Sequence, residues 1–364
     1  MKNIQVTLLS ILVVTLVSCS QNNEKSSNDY EKSVLDSTLL VVDKKYIPAP
    51  MGASEELRNS IISMSPPSYE ESQIFPQNNE EWKKLRQTRD SATSIVVNKL
   101  AGALLVKMER MEINGVVVRY ITPNEIVPEY TNSIFVHTHG GGYVFNGGDA
   151  GAFEAILIAA NLKIPTISID YRMPPDHPFP IGLNDVVAAY KGILEKYNSH
   201  TIFMGGSSGG GNFTMSAILM LADKGIQLPK AIFLGTPGSE FNKIGDSFFI
   251  NEGIDRALGT WDGFITAALN LYANGTDFNN PYISPIYGDL TVFPPTILVS
   301  GTRDLLLSST VRTHRKLRDS GVVTDLVVIE GHSHADYMTV PNAPESIAVY
   351  KDIDNFFRKF LNDK

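Results

Sequence analysis

The chain has 364 residues, 43% hydrophobic and 19% charged, with 31 Lys and Arg against 39 Asp and Glu. That length suffices for a sizeable core in one or two domains, and the charged fraction, below the ~25% of an average globular domain, excludes disorder as the main state. A net charge of −8 supplies no broad cationic field for nucleic acid or an anionic membrane surface, and a single cysteine excludes an intramolecular disulfide or a Cys-based zinc cage.

The chain opens on Lys2 and an apolar run over residues 4–17, which has the length of a secretory hydrophobic region and is shorter than a membrane span. The run ends Leu16-Val17-Ser18-Cys19, which resembles the lipobox of bacterial lipoproteins. That resemblance implies a signal peptide over residues 1–18, lipidation of Cys19 and anchoring in the cell envelope. With Ser20 after the cysteine, it implies the outer membrane if the source has two. The alternative is a plain signal peptide with an incidental cysteine. Residues 19–44 begin as a polar run nearly free of large apolar groups and read as a flexible tether.

Residues 45–110 carry helical patterns. Ser54 followed by Glu55 and Glu56 reads as a helix start, and Trp82, Leu85, Ile95, Leu100 and Leu104 keep helical spacing. The period then changes, and Asn114-Gly115 between two β-prone runs predicts a hairpin. Short β-branched runs near residues 133–137, 164–169, 201–204, 231–234, 296–300 and 326–329 alternate with helical stretches. Apolar strands joined by helices imply a mostly parallel sheet covered on both faces, with ligand chemistry at the carboxyl ends of its strands. Residues 238–285 break the rhythm and read as an insertion.

The sharpest chemical signal follows one of these runs: Gly205-Gly206-Ser207-Ser208-Gly209-Gly210-Gly211-Asn212. A Gly-x-Ser-x-Gly between strand and helix is a nucleophile elbow, a turn too tight for bulky neighbours of the serine. Two registers satisfy it, one making Ser207 the nucleophile and the other Ser208. Upstream, after another strand, stands His139-Gly140-Gly141-Gly142-Tyr143. A serine needs a base held by a carboxylate, in the chain order Ser, Asp or Glu, His. Asp304 lies in Gly301-Thr-Arg-Asp304-Leu-Leu, and His332 and His334 compete in Gly331-His332-Ser333-His334-Ala335.

Together these motifs resemble the bacterial hormone-sensitive-lipase family of α/β-hydrolases over residues 111–364. The trailing Gly210-Gly211-Asn212 matches the family's elbow and selects Ser208, with Ser207 replacing its usual Asp and Gly209 its usual Ala. The resemblance implies oxyanion-hole donors at Gly141, Gly142 and Gly209, with His139 organising the loop. It also implies Asp304 as the orienting acid and His334 as the base, which leaves His332 at the family's Met position. If not the base, His332 reads as a solvent-exposed loop histidine. Asp304 otherwise reads as a helix cap, and Asp336 is a remote alternative acid. His137 reads as a strand-end residue, and His177, in a proline-rich stretch, as a poor base. Asp170 and Arg172, followed by Asp185, read as an ion pair bracing the oxyanion strand.

The expected fold is an α/β-hydrolase domain over residues 111–364, with a helical cap from residues 45–110 and the 238–285 insertion. The expected activity is hydrolysis of small acyl esters, without metal or organic cofactor. Lactones or acetylated carbohydrates are alternative substrates, peptidase action uses the same triad, and a non-catalytic ligand-binding member of the fold is the alternative of another class.

Overall fold

Ser54 accepts a hydrogen bond from the Leu57 amide at 3.2 Å and so caps α1 (Glu55–Ser63), while α2 (Tyr69–Ser72) carries a capping box between Ser68 and Glu71. Asn78 caps the long α3 (Asn79–Ala103), which buries Trp82, Val97, Leu100 and Ala101 along one side. The structure, a computed structural model, describes residues 44–361. The leader, nearly all of the tether and the lipidation site at Cys19 lie outside the described residues.

The period change marks the hairpin of β1 (Lys107–Ile113) and β2 (Val116–Thr122). Asn114 and Gly115 both take positive φ, 48° and 77°, as a two-residue type I′ turn needs. β1 starts earlier than the β-prone residues 111–113 announce. Its polar Lys107 and Glu109 are held by pairing with Thr122 and Tyr120, and it is an exposed edge strand.

Strands and helices then alternate: β3 (Ile134–Thr138), α4 (Phe153–Leu162), β4 (Thr166–Ile169), α5 (Ile181–Leu194), β5 (Ile202–Ser207), α6 (Gly209–Asp223) and β6 (Ala231–Gly235). Between β6 and β7 the chain forms no strand and carries α7 (Ser247–Ile250) and α8 (Phe264–Ala273). The last elements are β7 (Thr296–Gly301), α9 (Leu307–Asp319), β8 (Thr324–Ile329), α10 (Asp336–Thr339) and α11 (Pro344–Phe360). The eight strands run in the order β1-β2-β4-β3-β5-β6-β7-β8, antiparallel at the β1 and β2 end and parallel from β4 onward. Residues from Ala49 onward form one compact unit.

Strand alternation divides the apolar side chains between two cores. Val136, Met204, Leu234 and Leu298 pack with α5 and α6 on one face, and Phe135, Phe203, Phe233 and Ile297 with α4 and α11 on the other. A smaller cluster of Trp82, Val144, Phe145 and Ala268 brings α3 and α8 together beside the segment that follows β3. Phe203 is fully buried, stacked on Phe357 at 4.5 Å and edge-on to Tyr130 at 6.0 Å. Phe203→Ala is expected to lower the urea unfolding free energy by about 3–5 kcal/mol. Met111→Lys on exposed β1 is expected to change it by less than about 0.5 kcal/mol.

Candidate active site

All candidate residues follow carboxyl ends of parallel strands: 139–143 after β3, Ser208 after β5, Asp304 after β7 and His334 after β8. At the β5 end the chain turns sharply into α6, and Ser208 sits at φ 61° and ψ −126°, a conformation that costs a non-glycine residue roughly 1–3 kcal/mol. Its amide donates to Gly235 O at 2.8 Å, which pins the turn. Two neighbours must be glycine because the Thr138 carbonyl approaches so closely. A Cβ at Gly206 would lie 1.9 Å from that oxygen, and one at Gly210 would lie 2.1 Å from it.

The two serines differ in what they touch. Ser207 is fully buried, its amide donates to Glu154 Oε2 at 3.0 Å, and its hydroxyl bonds both the Glu154 carboxylate and the Tyr337 hydroxyl. Glu154 Oε2 also meets His137 Nε2 at 3.0 Å, and His137 Nδ1 meets Ser168 Oγ at 2.9 Å. An Asp at 207 would set a second carboxylate against Glu154, so the serine there fits its partner. Ser208 is half-buried, and among the described residues its hydroxyl makes no hydrogen bond, none to His334 included. Neither Glu154 nor Tyr337 was singled out by sequence. The one available signal was an isolated acid in the otherwise apolar start of α4.

Asp304 and His334 meet directly, with His334 Nδ1 at 3.1 Å from Asp304 Oδ1, both side chains buried. Asp304 Oδ1 also accepts from the Leu306 amide at 2.8 Å and Oδ2 from Ser300 Oγ at 2.6 Å. The helix-cap reading of Asp304 is not met: α9 starts at Leu307 with Leu306 as its cap and no side-chain capping bond, and the Leu306 amide bond closes a local turn that leaves the carboxylate on the histidine. With Nδ1–H donating to the carboxylate, Nε2 is left as the ring's acceptor. Burial disfavours the His334 imidazolium, but the Asp304 charge and hydrogen bond, with the charges of Asp255 and Asp336, outweigh it and hold the ring above its ordinary pKa. Sequence reasoning missed Asp255, a fully buried carboxylate of the insertion. Desolvation and the charge of Asp304 push it up to about 6.

His332 is not the exposed loop residue expected. It is 1% exposed, packed where a Cβ on Gly301 would lie 2.1 Å from its carbonyl oxygen, and burial lowers its pKa. Asp336 pairs with Arg256 and accepts from the Ser333 amide at 2.6 Å, so the carboxylate on the His334 ring is that of Asp304. The expected Asp170–Arg172 pair is also corrected. Arg172 forks onto Asp185, at 2.7 and 2.9 Å, whereas Asp170 accepts from the Gly148 amide at 2.9 Å and from Arg119 at 3.4 Å. A bidentate carboxylate matches the guanidinium better than a residue two positions away, and it frees Asp170 to hold the loop beyond the glycines. His177 sits half-buried in the proline-rich turn, its amide on Met173 O at 3.1 Å.

The glycine loop packs against the elbow, and a Cβ at Gly140 would lie 2.7 Å from Ser207 O and 3.3 Å from Ser208 Cβ. Gly141 and Gly142 take φ of 113° and 59°, which favours glycine at both. His139 stacks on Tyr171 at 4.0 Å and contacts Gly140 O through Nδ1 at 2.8 Å, while Tyr171 OH donates to His139 O at 2.6 Å. Asp90 of α3 accepts from the Asn146 and Gly147 amides at 2.7 and 3.0 Å. Among the described residues, the amides of Gly141, Gly142 and Gly209 have no intramolecular acceptor. The ring of Tyr143 lies 3.5 Å from the Cβ position of Gly209.

A family profile described as the alpha/beta hydrolase fold matches residues 135–338. The chain is 28% identical over 172 residues to an acetyl-hydrolase of Streptomyces hygroscopicus, a match covering 47% of this chain and 57% of that one, so it spans little over half of that relative. It is 24% identical over 229 residues to an esterase of Acinetobacter venetianus, covering 62% and 74%. Among solved structures, esterase E25 is 46% identical with a TM-score of 0.86, covering 88% of this chain and 98% of that one. An esterase from the bacterial hormone-sensitive lipase family is 26% identical with a TM-score of 0.71, covering 86% and 100%. With the profile spanning more than half of the chain and the strands in this order, the chain belongs to the alpha/beta hydrolase family.

Proposed function

We propose that the protein is a carboxylesterase-type serine hydrolase acting on small acyl esters, with Ser208 as nucleophile, His334 as base and Asp304 as orienting acid. The observation that carries this reading is the buried His334–Asp304 contact at 3.1 Å on the same sheet edge as a serine held at positive φ. The esterase and acetyl-hydrolase names of the relatives support the same class of reaction.

In this reading His334 Nε2 takes the Ser208 proton as Oγ attacks the acyl carbonyl, and Asp304 holds the ring and stabilises the imidazolium that forms. Negative charge then develops on the former carbonyl oxygen. Amides of Gly141, Gly142 and Gly209 are fixed before the reaction and have no other acceptor among the described residues, so they can stabilise that charge without reorganising. His334 returns its proton to the leaving alcohol. It then activates water to release the acyl group. The Ser208–His334 hydrogen bond forms with substrate, since such bonds are often long in unliganded sites.

Residues 45–110 and the 238–285 insertion act in this reading as the cap. Its support is the packing of Trp82 on Phe264 at 5.4 Å and of Phe145 on Phe264 at 5.9 Å, beside the glycine loop. The ring of Tyr143 beside Gly209, packed from behind by Phe213, Phe241 and Tyr272, supports the choice of short acyl groups in this reading. The envelope location through a lipid on Cys19 rests on the lipobox-like run Leu16-Val17-Ser18-Cys19, and globomycin-sensitive processing lost in Cys19→Ala tests it.

Ser208→Ala is expected to lower kcat on p-nitrophenyl acetate by a factor on the order of 10⁴ or more. Ser207→Ala, which removes a positioning hydroxyl, should retain measurable turnover. Full activity of Ser208→Ala with loss in Ser207→Ala would reverse the assignment. Because the base must be neutral to accept a proton and its pKa is held above the ordinary value, kcat/KM should rise with pH through a limb above about 6.5. A pH–rate profile flat across pH 6–8 would contradict the assignment of His334.

A further inference from the structure

We propose that Asp255 is a positioning residue that locks the loop carrying Asp304 to the loop carrying His334 and holds its negative charge beside the base. The inference rests on the reading of Asp304 and His334 as acid and base. Nothing in a Ser-His-Asp triad calls for a second buried carboxylate, and this one comes from the insertion between β6 and β7.

Its geometry is that of a clamp. Oδ2 accepts from the Leu305 amide at 2.7 Å, adjacent to Asp304, and Oδ1 accepts from the His334 amide at 3.4 Å. Oδ1 also accepts from the amides of Ala257 and Leu258 at 2.9 and 3.1 Å, which fixes the side chain on its own turn. The same turn grips both loops nearby. Asn251 Nδ2 donates to Asp304 O at 2.8 Å, and the Arg256 amide donates to Ser333 Oγ at 3.1 Å. Each hydrogen bond found for the Asp255 carboxylate among the described residues comes from a backbone amide.

The charge matters as much as the contacts. A fully buried carboxylate next to Asp304 is unfavourable while His334 is neutral, and becomes favourable once the ring is protonated. The groups facing His334 are Asp304 after β7, Asp255 of the insertion and Asp336 of α10. Asp336 is already answered by Arg256, and Arg303 lies within reach of Asp336 and Glu330. The Asp255 charge therefore favours the imidazolium formed in the reaction and raises the pKa at which the resting base loses its proton.

Asp255→Asn in the full chain tests this through kcat, KM, thermal unfolding and the pH profile of kcat/KM on p-nitrophenyl acetate, with Ser208→Ala in parallel. The expected result is a fall in kcat on the order of 10²-fold with KM changed less than about threefold. The acid limb of kcat/KM should move down by about half a pH unit or more. Asp255→Ala supplies a second reading, since formate occupying the vacated site should restore turnover. An unchanged acid limb, an activity loss that only follows a lowered unfolding temperature, or folded Asp255→Ala that formate does not restore would overturn the proposal, as would failure of both variants to fold. Residual full activity in Ser208→Ala would instead refute the reading of the triad itself.

Discussion

One buried hydrogen bond, His334 Nδ1 to Asp304 Oδ1 at 3.1 Å, organises the carboxyl edge of the sheet. An imidazole in a low-dielectric interior keeps a useful proton affinity only if negative charge sits close by. Here burial and the surrounding carboxylates oppose each other, with the carboxylates prevailing. The supporting contacts follow from this need. Asp304 is fixed by Ser300 and by the Leu306 amide, and the insertion adds Asn251 and Asp255 from a third side. The pair is thereby held from β7, β8 and the segment between β6 and β7 at once.

The second constraint is steric. β3 and the β5–α6 turn approach so closely that the Thr138 carbonyl occupies the space a side chain at 206 or 210 would need. That approach lets the glycine loop after β3 touch the elbow, and the polar chain from Ser168 through His137, Glu154 and Ser207 to Tyr337 ties the elbow to the base of the His334 loop. Satisfied buried networks of this kind rigidify the elements they join. A strained Ser208 can persist because its surroundings fix it on every side.

Much of this was legible in the sequence because it depends on local signals. The Asn114-Gly115 turn, the alternation of apolar strands with helices and the glycine spacing each report a backbone requirement a few residues long, and the structure meets all three. Choosing between Ser207 and Ser208 needed the family pattern, and the structure adds that the Ser207 hydroxyl is already engaged. Long-range partners were not legible. Arg172 looked toward Asp170, two residues away, and instead found Asp185 across a turn; β1 gained residues 107–110 through pairing with β2; and Glu154, Tyr337 and Asp255 carry no local motif. His332 misled because a polar residue beside a glycine reads as loop surface, while here neighbouring chain covers it.

The most direct measurement is mass-spectrometric mapping of the residue modified when the protein reacts with a fluorophosphonate, in the wild type and in His334→Ala. A stoichiometric adduct on Ser208 is expected in the wild type, with reaction slowed by orders of magnitude without the imidazole. An adduct on Ser207, or modification of Ser208 at an undiminished rate in His334→Ala, would contradict it.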